Sequence, residues 1–114
     1  MVEKMMIDLT EMTDGGKVSN LSGRPRGIAA RIRYELNWEN TDDIRDVKII
    51  VPTNVDSITP SFFQGMFGSA FIVLGRNRNQ FFEHFDFEVS PLVMNQVEQG
   101  VAALEISRDL ADLT

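Results

Sequence analysis

The stretch from Val47 to Gly75, VKIIVPTNVDSITPSFFQGMFGSAFIVLG, constrains the fold more than any other part of the chain. Val47-Lys48-Ile49-Ile50-Val51 is too apolar for a strand with one face in water, so it reads as a central strand buried on both faces. Pro52 ends it, because proline cannot donate to a sheet ladder. A polar turn follows, and then the pattern changes period. Phe63, Met66, Phe67, Ala70, Phe71 and Leu74 recur at three- and four-residue spacing and line one face of an amphipathic helix. Thr59 is placed to cap that helix, Pro60 to fill its first position, and Gly75 to end it in a left-handed turn.

The flanking segments extend the alternation. Met5 to Met12 has a period of two, with Ile7 and Leu9 on one side and Asp8 and Thr10 on the other. Thr13-Asp14-Gly15-Gly16 is turn material, so Lys17 to Ser19 is expected to return as the second arm of a β-hairpin. In SGRPRGIAARIRYELN, Ser22 or Gly23 caps a helix, Pro25 fits its first turn, and Ile28, Ile32 and Leu36 line one face. Asn37 is its expected stop. Trp38 to Asp46 is polar and acidic and reads as a surface connection, and Gly75 to Gln80 as a basic turn. Phe85 to Val89 alternates as another strand. Ser90-Pro91 then repeats the cap-and-proline device before a helix striped by Val93, Val97, Val101 and Leu104. Ser107 to Thr114 is expected to be a frayed or helical tail.

The order is β-β-α-β-α-β-α, an α/β sandwich with a mixed sheet of about four strands and three helices. At 114 residues the chain is expected to be a single domain, residues 1–114, with enough core to fold without staples.

Composition narrows the function classes. The chain has no cysteine, which removes disulfides, thiolate chemistry and cysteine-held metals together. A net charge of −6 disfavours non-specific binding to nucleic acid or an anionic membrane. No apolar run approaches the roughly 20 residues that span a bilayer. Acids interrupt the N-terminus where a secretory signal needs an apolar core, so the expected compartment is the cytoplasm. His84 is the single histidine, with no second His or Cys to complete a metal site. Asp14-Gly15-Gly16 lacks the Lys-Ser/Thr that follows a phosphate loop. The residues therefore suggest no catalytic group, no cofactor and no metal.

What remains is the start of the second helix. Ser57, Thr59 and Ser61 sit at or just before a helix N-terminus, whose unpaired N–H groups and positive dipole end favour an anion such as phosphate. On the same helix Gly65, Gly68 and Ser69 form a small-residue face beside Ser61. Two interior glycines cost about 1 kcal/mol each against alanine, so another backbone should approach there, from a partner protein or from a neighbouring element of the same fold. Phe62 and Phe63 point about 100° apart on a helix, so Phe62 is expected to be partly exposed as an interface anchor. Arg24, Arg26, Arg31 and Arg33 read as a solvated helix face.

GRPRGIAARI, VKIIVPTNVDSITPSFFQGMFG and FDFEVSPLVMNQV together resemble the STAS domain (sulphate transporter and anti-sigma-factor antagonist), in particular a STAS-like prokaryotic family without an assigned function. The likeness runs from about residue 5 to residue 106. In anti-sigma-factor antagonists the turn before the second helix reads Asp-Ser-Ser/Thr-Gly, and a partner kinase phosphorylates its second hydroxyl to release the complex. The resemblance places Ser61 at that hydroxyl. Here Thr59 stands for the aspartate, Phe62 for the glycine, and Pro52-Thr53-Asn54 for the acidic strand end. It implies a non-enzymatic regulatory module whose partner is a histidine-kinase-type ATPase acting as a serine kinase. The alternative is a small accessory or structural protein that self-associates as a weak homodimer, with no phospho-switch.

Overall fold

The computed structural model describes residues 4–14 and 17–106. Gly15 and Gly16 of the expected hairpin turn, and the expected tail from Ser107 to Thr114, lie outside the described residues. The elements run β1 (Met5–Asp8), β2 (Asn20–Leu21), α1 (Arg24–Arg33), β3 (Val47–Ile50), β4 (Ser57–Ile58), α2 (Pro60–Val73), α3 (Arg78–His84), β5 (Phe85–Glu88) and α4 (Pro91–Ile106). Short 3-10 turns cover Leu9–Thr13 and Thr41–Asp43.

The architecture is α/β, as the alternation of periods requires, but its sheets differ from the expected mixed sheet. Three strands form one parallel sheet in the order β1-β3-β5, and β2 and β4 form a second, parallel pair. The hairpin is not formed. After Asp8 the chain enters a 3-10 turn, with Asp8 Oδ1 accepting from Thr10 N at 2.9 Å and from the Thr10 hydroxyl at 2.6 Å. These bonds hold the Asp8 carboxyl below its ordinary pKa. The alternation of Leu9 and Thr10 thus belongs to a tight turn, and the returning segment pairs with β4 instead of β1.

β3 is central, as expected, yet only one face of its sheet is dry. Ile7, Val47, Ile49 and Phe85 are buried against the helices. Met6, Asp8, Asp86 and Glu88 are exposed on the other face, with Lys48 and Ile50 half-buried between them. Lys48 meets Glu88 there at 3.2 Å and Lys4 meets Asp86 at 3.6 Å. Cross-strand charge pairs let this face tolerate water, which an all-parallel sheet seldom does.

α2 is the centre of the molecule, packed against α1 on one side and α4 on the other. Phe62, Phe63 and every residue from Gly65 to Phe71 are buried, so it is an all-round core helix instead of an amphipathic one. α1 buries Gly27, Ala30 and Arg31, and Ile32 is 63% exposed. The expected Ile28–Ile32–Leu36 stripe fails because α1 must come close to α2, and its small residues, not its isoleucines, permit that. The helix also ends before Leu36, with Glu35 at φ 59.

Two segments read as surface carry core. Trp38 is buried and stacks on Phe85 at 5.4 Å. The expected turn after Gly75 is short: Asn77 caps α3 by accepting from Gln80 N at 3.1 Å, a fourth helix where three were expected. α3 delivers Phe81 into an aromatic cluster with Phe63, Phe67, Phe71, Phe85 and Phe87. No helix among the described residues is long and apolar enough to cross a membrane.

Candidate functional site

The β2–β4 pair decides where the candidate hydroxyls lie. Asn20 is in register with Ser57 and Leu21 with Ile58, so both chains leave the pair at the same end. Each then enters a helix, β2 through Ser22-Gly23 into α1 and β4 through Thr59 into α2. Thr59 N donates to Leu21 O at 2.9 Å, extending the pairing to the edge of both helices. The N-termini of α1 and α2 consequently stand side by side.

Thr59 joins them. Its Oγ1 accepts from Phe62 N at 3.3 Å, the cap expected from sequence, and from Gly23 N of the neighbouring loop, also at 3.3 Å. It also lies 3.2 Å from Ser61 Oγ. That hydroxyl is thus structural. Removing it takes away the α2 cap and leaves an N–H of the adjacent loop unpaired, so Thr59→Ala should cost about 2 kcal/mol. Denaturant unfolding of Thr59→Ala and Thr59→Ser checks this, with serine restoring most of the loss.

Ser57 is half-buried within β4. Ser61 is exposed in the first turn of α2, with its Oγ beside the Thr59 hydroxyl. Of the three candidate phosphoacceptors it is the accessible one.

The expected partner-binding face is corrected in most of its members. Phe62 is 1% exposed, because α2 has core on two sides and adjacent phenylalanines can both point inward. Gly65, Gly68 and Ser69 are buried as well. Gly65 faces the first turns of α1, where a Cβ would lie 2.7 Å from Arg24 O and 3.0 Å from Ile28 N. The approaching backbone is therefore a neighbour in the same fold. Ser69 Oγ lies 3.5 Å from Asn37 Oδ1, which ties α2 to the segment after α1.

The arginines of α1 are also not one solvated face. Arg26 donates to Met12 O at 2.7 Å, Arg33 pairs with Glu11, and Arg31 is buried at 6% exposure. Burial, and then the nearby Arg24 charge, holds the Arg31 guanidinium below its usual pKa. Gln96 of α4 belongs to no motif of the sequence, yet it serves β4 as a surrogate strand. Its Oε1 accepts from Ile58 N and its Nε2 donates to Asp56 O at 3.2 Å. A glutamine on an otherwise apolar helix face, between Val93 and Val97, is the signal that could have found it.

His84 bonds through Nδ1 to Asp46 Oδ1 at 2.9 Å, joining the end of α3 to the entry of β3. Among the described residues no group of three or more His, Cys, Asp or Glu side chains is placed to hold a metal. Two adjacent clefts of about 360 and 430 Å³ share Glu35 and Arg45, and a third of about 330 Å³ lies at the ends of β3 and β5. None of these is lined by Ser57, Thr59 or Ser61. Compared with known proteins, the chain matches no family model, no curated protein and no solved structure.

Proposed function

We propose that the chain is a non-enzymatic, STAS-like protein-interaction module acting in intracellular regulation, switched by phosphorylation of Ser61. The observation that carries the reading is the placement of Ser61: an exposed hydroxyl in the first turn of α2, beside the first turn of α1. A phosphate there adds up to about two negative charges at a corner where two helix dipoles present their positive ends. The charge is compatible with the fold and changes what can dock. Ser61 lines none of the three clefts described, so the reading takes a protein partner in place of a small ligand held in one of them. The partner in this reading is a histidine-kinase-type ATPase that acts as a serine kinase, and phosphorylation releases it.

The burial of Phe62, Gly65, Gly68 and Ser69 narrows the contact surface to Ser61 and the exposed residues around the two helix starts. The test is a binding titration against the co-purified partner. Ser61→Asp should weaken binding by roughly tenfold or more, an energy of about 1.4 kcal/mol, and Ser61→Ala should keep it. The melting temperature should be unchanged in both, because the side chain is exposed. Equal affinities for the two variants would count against the switch and favour the self-associating accessory protein.

A further inference from the structure

β1 is an edge strand that, together with Lys4 just before it, forms a five-residue stretch that is its own complement. The order β1-β3-β5 leaves its outer side without a strand among the described residues. Met5 N donates to Asp46 O at 2.9 Å, and Met5 and Ile7 are in register with Val47 and Ile49. In a parallel ladder the bonding residues alternate, so Met5 and Ile7 spend their backbone groups on β3. The N–H and C=O of Met6, the C=O of Lys4 and the N–H of Asp8 then point away from the sheet. Met6 is 64% exposed, on the open face.

We infer that two copies of this chain pair antiparallel through β1, about a two-fold axis at Met6. That register makes Met6 and its symmetry mate a hydrogen-bonded pair and lets Asp8 N–H of each copy reach Lys4 C=O of the other. On the open face it sets Lys4 opposite Asp8 twice, with the methionines packed between. The exposed Lys4 ammonium, which meets Asp86 at 3.6 Å within one copy, turns to the Asp8 carboxylate of the other. On the helix face it sets Met5 opposite Ile7. Shifting the register by one residue destroys every one of these matches. β5, the other edge, offers no such pairing: its exposed Asp86 and Glu88 would face like charges in an antiparallel pair.

The contact is short, well below the roughly 800 Å² per partner of a stable interface, so the dimer is weak and concentration-dependent. It is independent of the reading of Ser61, which lies on another element.

The absence of cysteine provides a clean test. In a hydrogen-bonded antiparallel pair the opposed Cα atoms are about 5.5 Å apart, inside the disulfide range of about 4.4–6.8 Å. Met6→Cys should oxidise to a covalent dimer much faster than the control Leu92→Cys, whose site on α4 is also exposed. In sedimentation equilibrium the unmodified chain should shift from monomer towards dimer with concentration, less so in high salt. Met6→Lys, which opposes like charges at the axis, should weaken that association by roughly tenfold with an unchanged melting temperature. A monomer mass at all concentrations would overturn the proposal. So would cross-linking of Met6→Cys no faster than Leu92→Cys, or a dimer indifferent to Met6→Lys.

Discussion

Gly27→Ala is expected to destabilise the protein by about 3 kcal/mol, although helix propensity alone favours alanine there by about 1 kcal/mol. The reversal of sign comes from the α1–α2 crossing. A Cβ on Gly27 would lie 2.2 Å from the Phe62 carbonyl oxygen, 3.0 Å from its carbon and 3.1 Å from Gly65 Cα. All three are backbone atoms, so no side chain can swing aside and the helices must separate. For a chain of this size the loss corresponds to a fall of roughly 10–20 °C in melting temperature. Calorimetry or circular dichroism reads it directly. Gly65→Ala should act by the same separation, since its Cβ would meet Arg24 O. The double variant should therefore lose less than the sum of the singles, because helices already parted accept the second methyl more easily. Stabilisation by Gly27→Ala would mean that the two helices do not cross this closely.

Phe81→Ala is expected to cost about 3–5 kcal/mol, a large part of the 5–15 kcal/mol that holds a typical domain. Phe81 is fully buried and its ring centroid lies 4.7 Å from Phe85, 5.8 Å from Phe67, 5.9 Å from Phe71 and 6.0 Å from both Phe63 and Phe87. It joins α2, α3 and β5, so its loss opens a cavity walled by rings that cannot collapse without moving all three elements. Phe82→Ala, at the half-buried rim under the Arg78 guanidinium, should cost much less. A small, equal effect at both positions would contradict the placement of α3.

The parts legible in the sequence are those where one local signal decides the structure. Thr59-Pro60 and Ser90-Pro91 each mark a helix start by cap and fixed φ, and both helices begin there, with Val93 N donating to Ser90 Oγ at 3.2 Å. The β-branched run from Val47 gave β3 its central place. What failed are features decided by long-range contact. Whether the segment after Asp14 pairs with β1 or with β4 depends on residues far along the chain, and turn chemistry does not encode that choice. The stripe of large apolar residues on α1 pointed to the wrong face, because a close crossing buries Gly27 and Ala30 while leaving Ile32 in water. α3 was hidden because seven residues carry too little periodicity, although Asn77 was a readable cap.

The candidate site shows the same division. Thr59 as cap and the position of Ser61 at the helix start follow from local sequence. The exposure of Phe62 does not, because it depends on whether a second layer covers the other side of α2. Gly65 signals a close approach, and only the packing identifies α1 as what approaches.

The most direct test of the switch is peptide mass spectrometry on the protein recovered from its native cell together with what co-purifies. Phosphate is expected on Ser61, none on Ser57 or Thr59, with an ATPase of the histidine-kinase type enriched with the unphosphorylated form. A chain unmodified at Ser61 under every growth condition, recovered alone or only with itself, would contradict it.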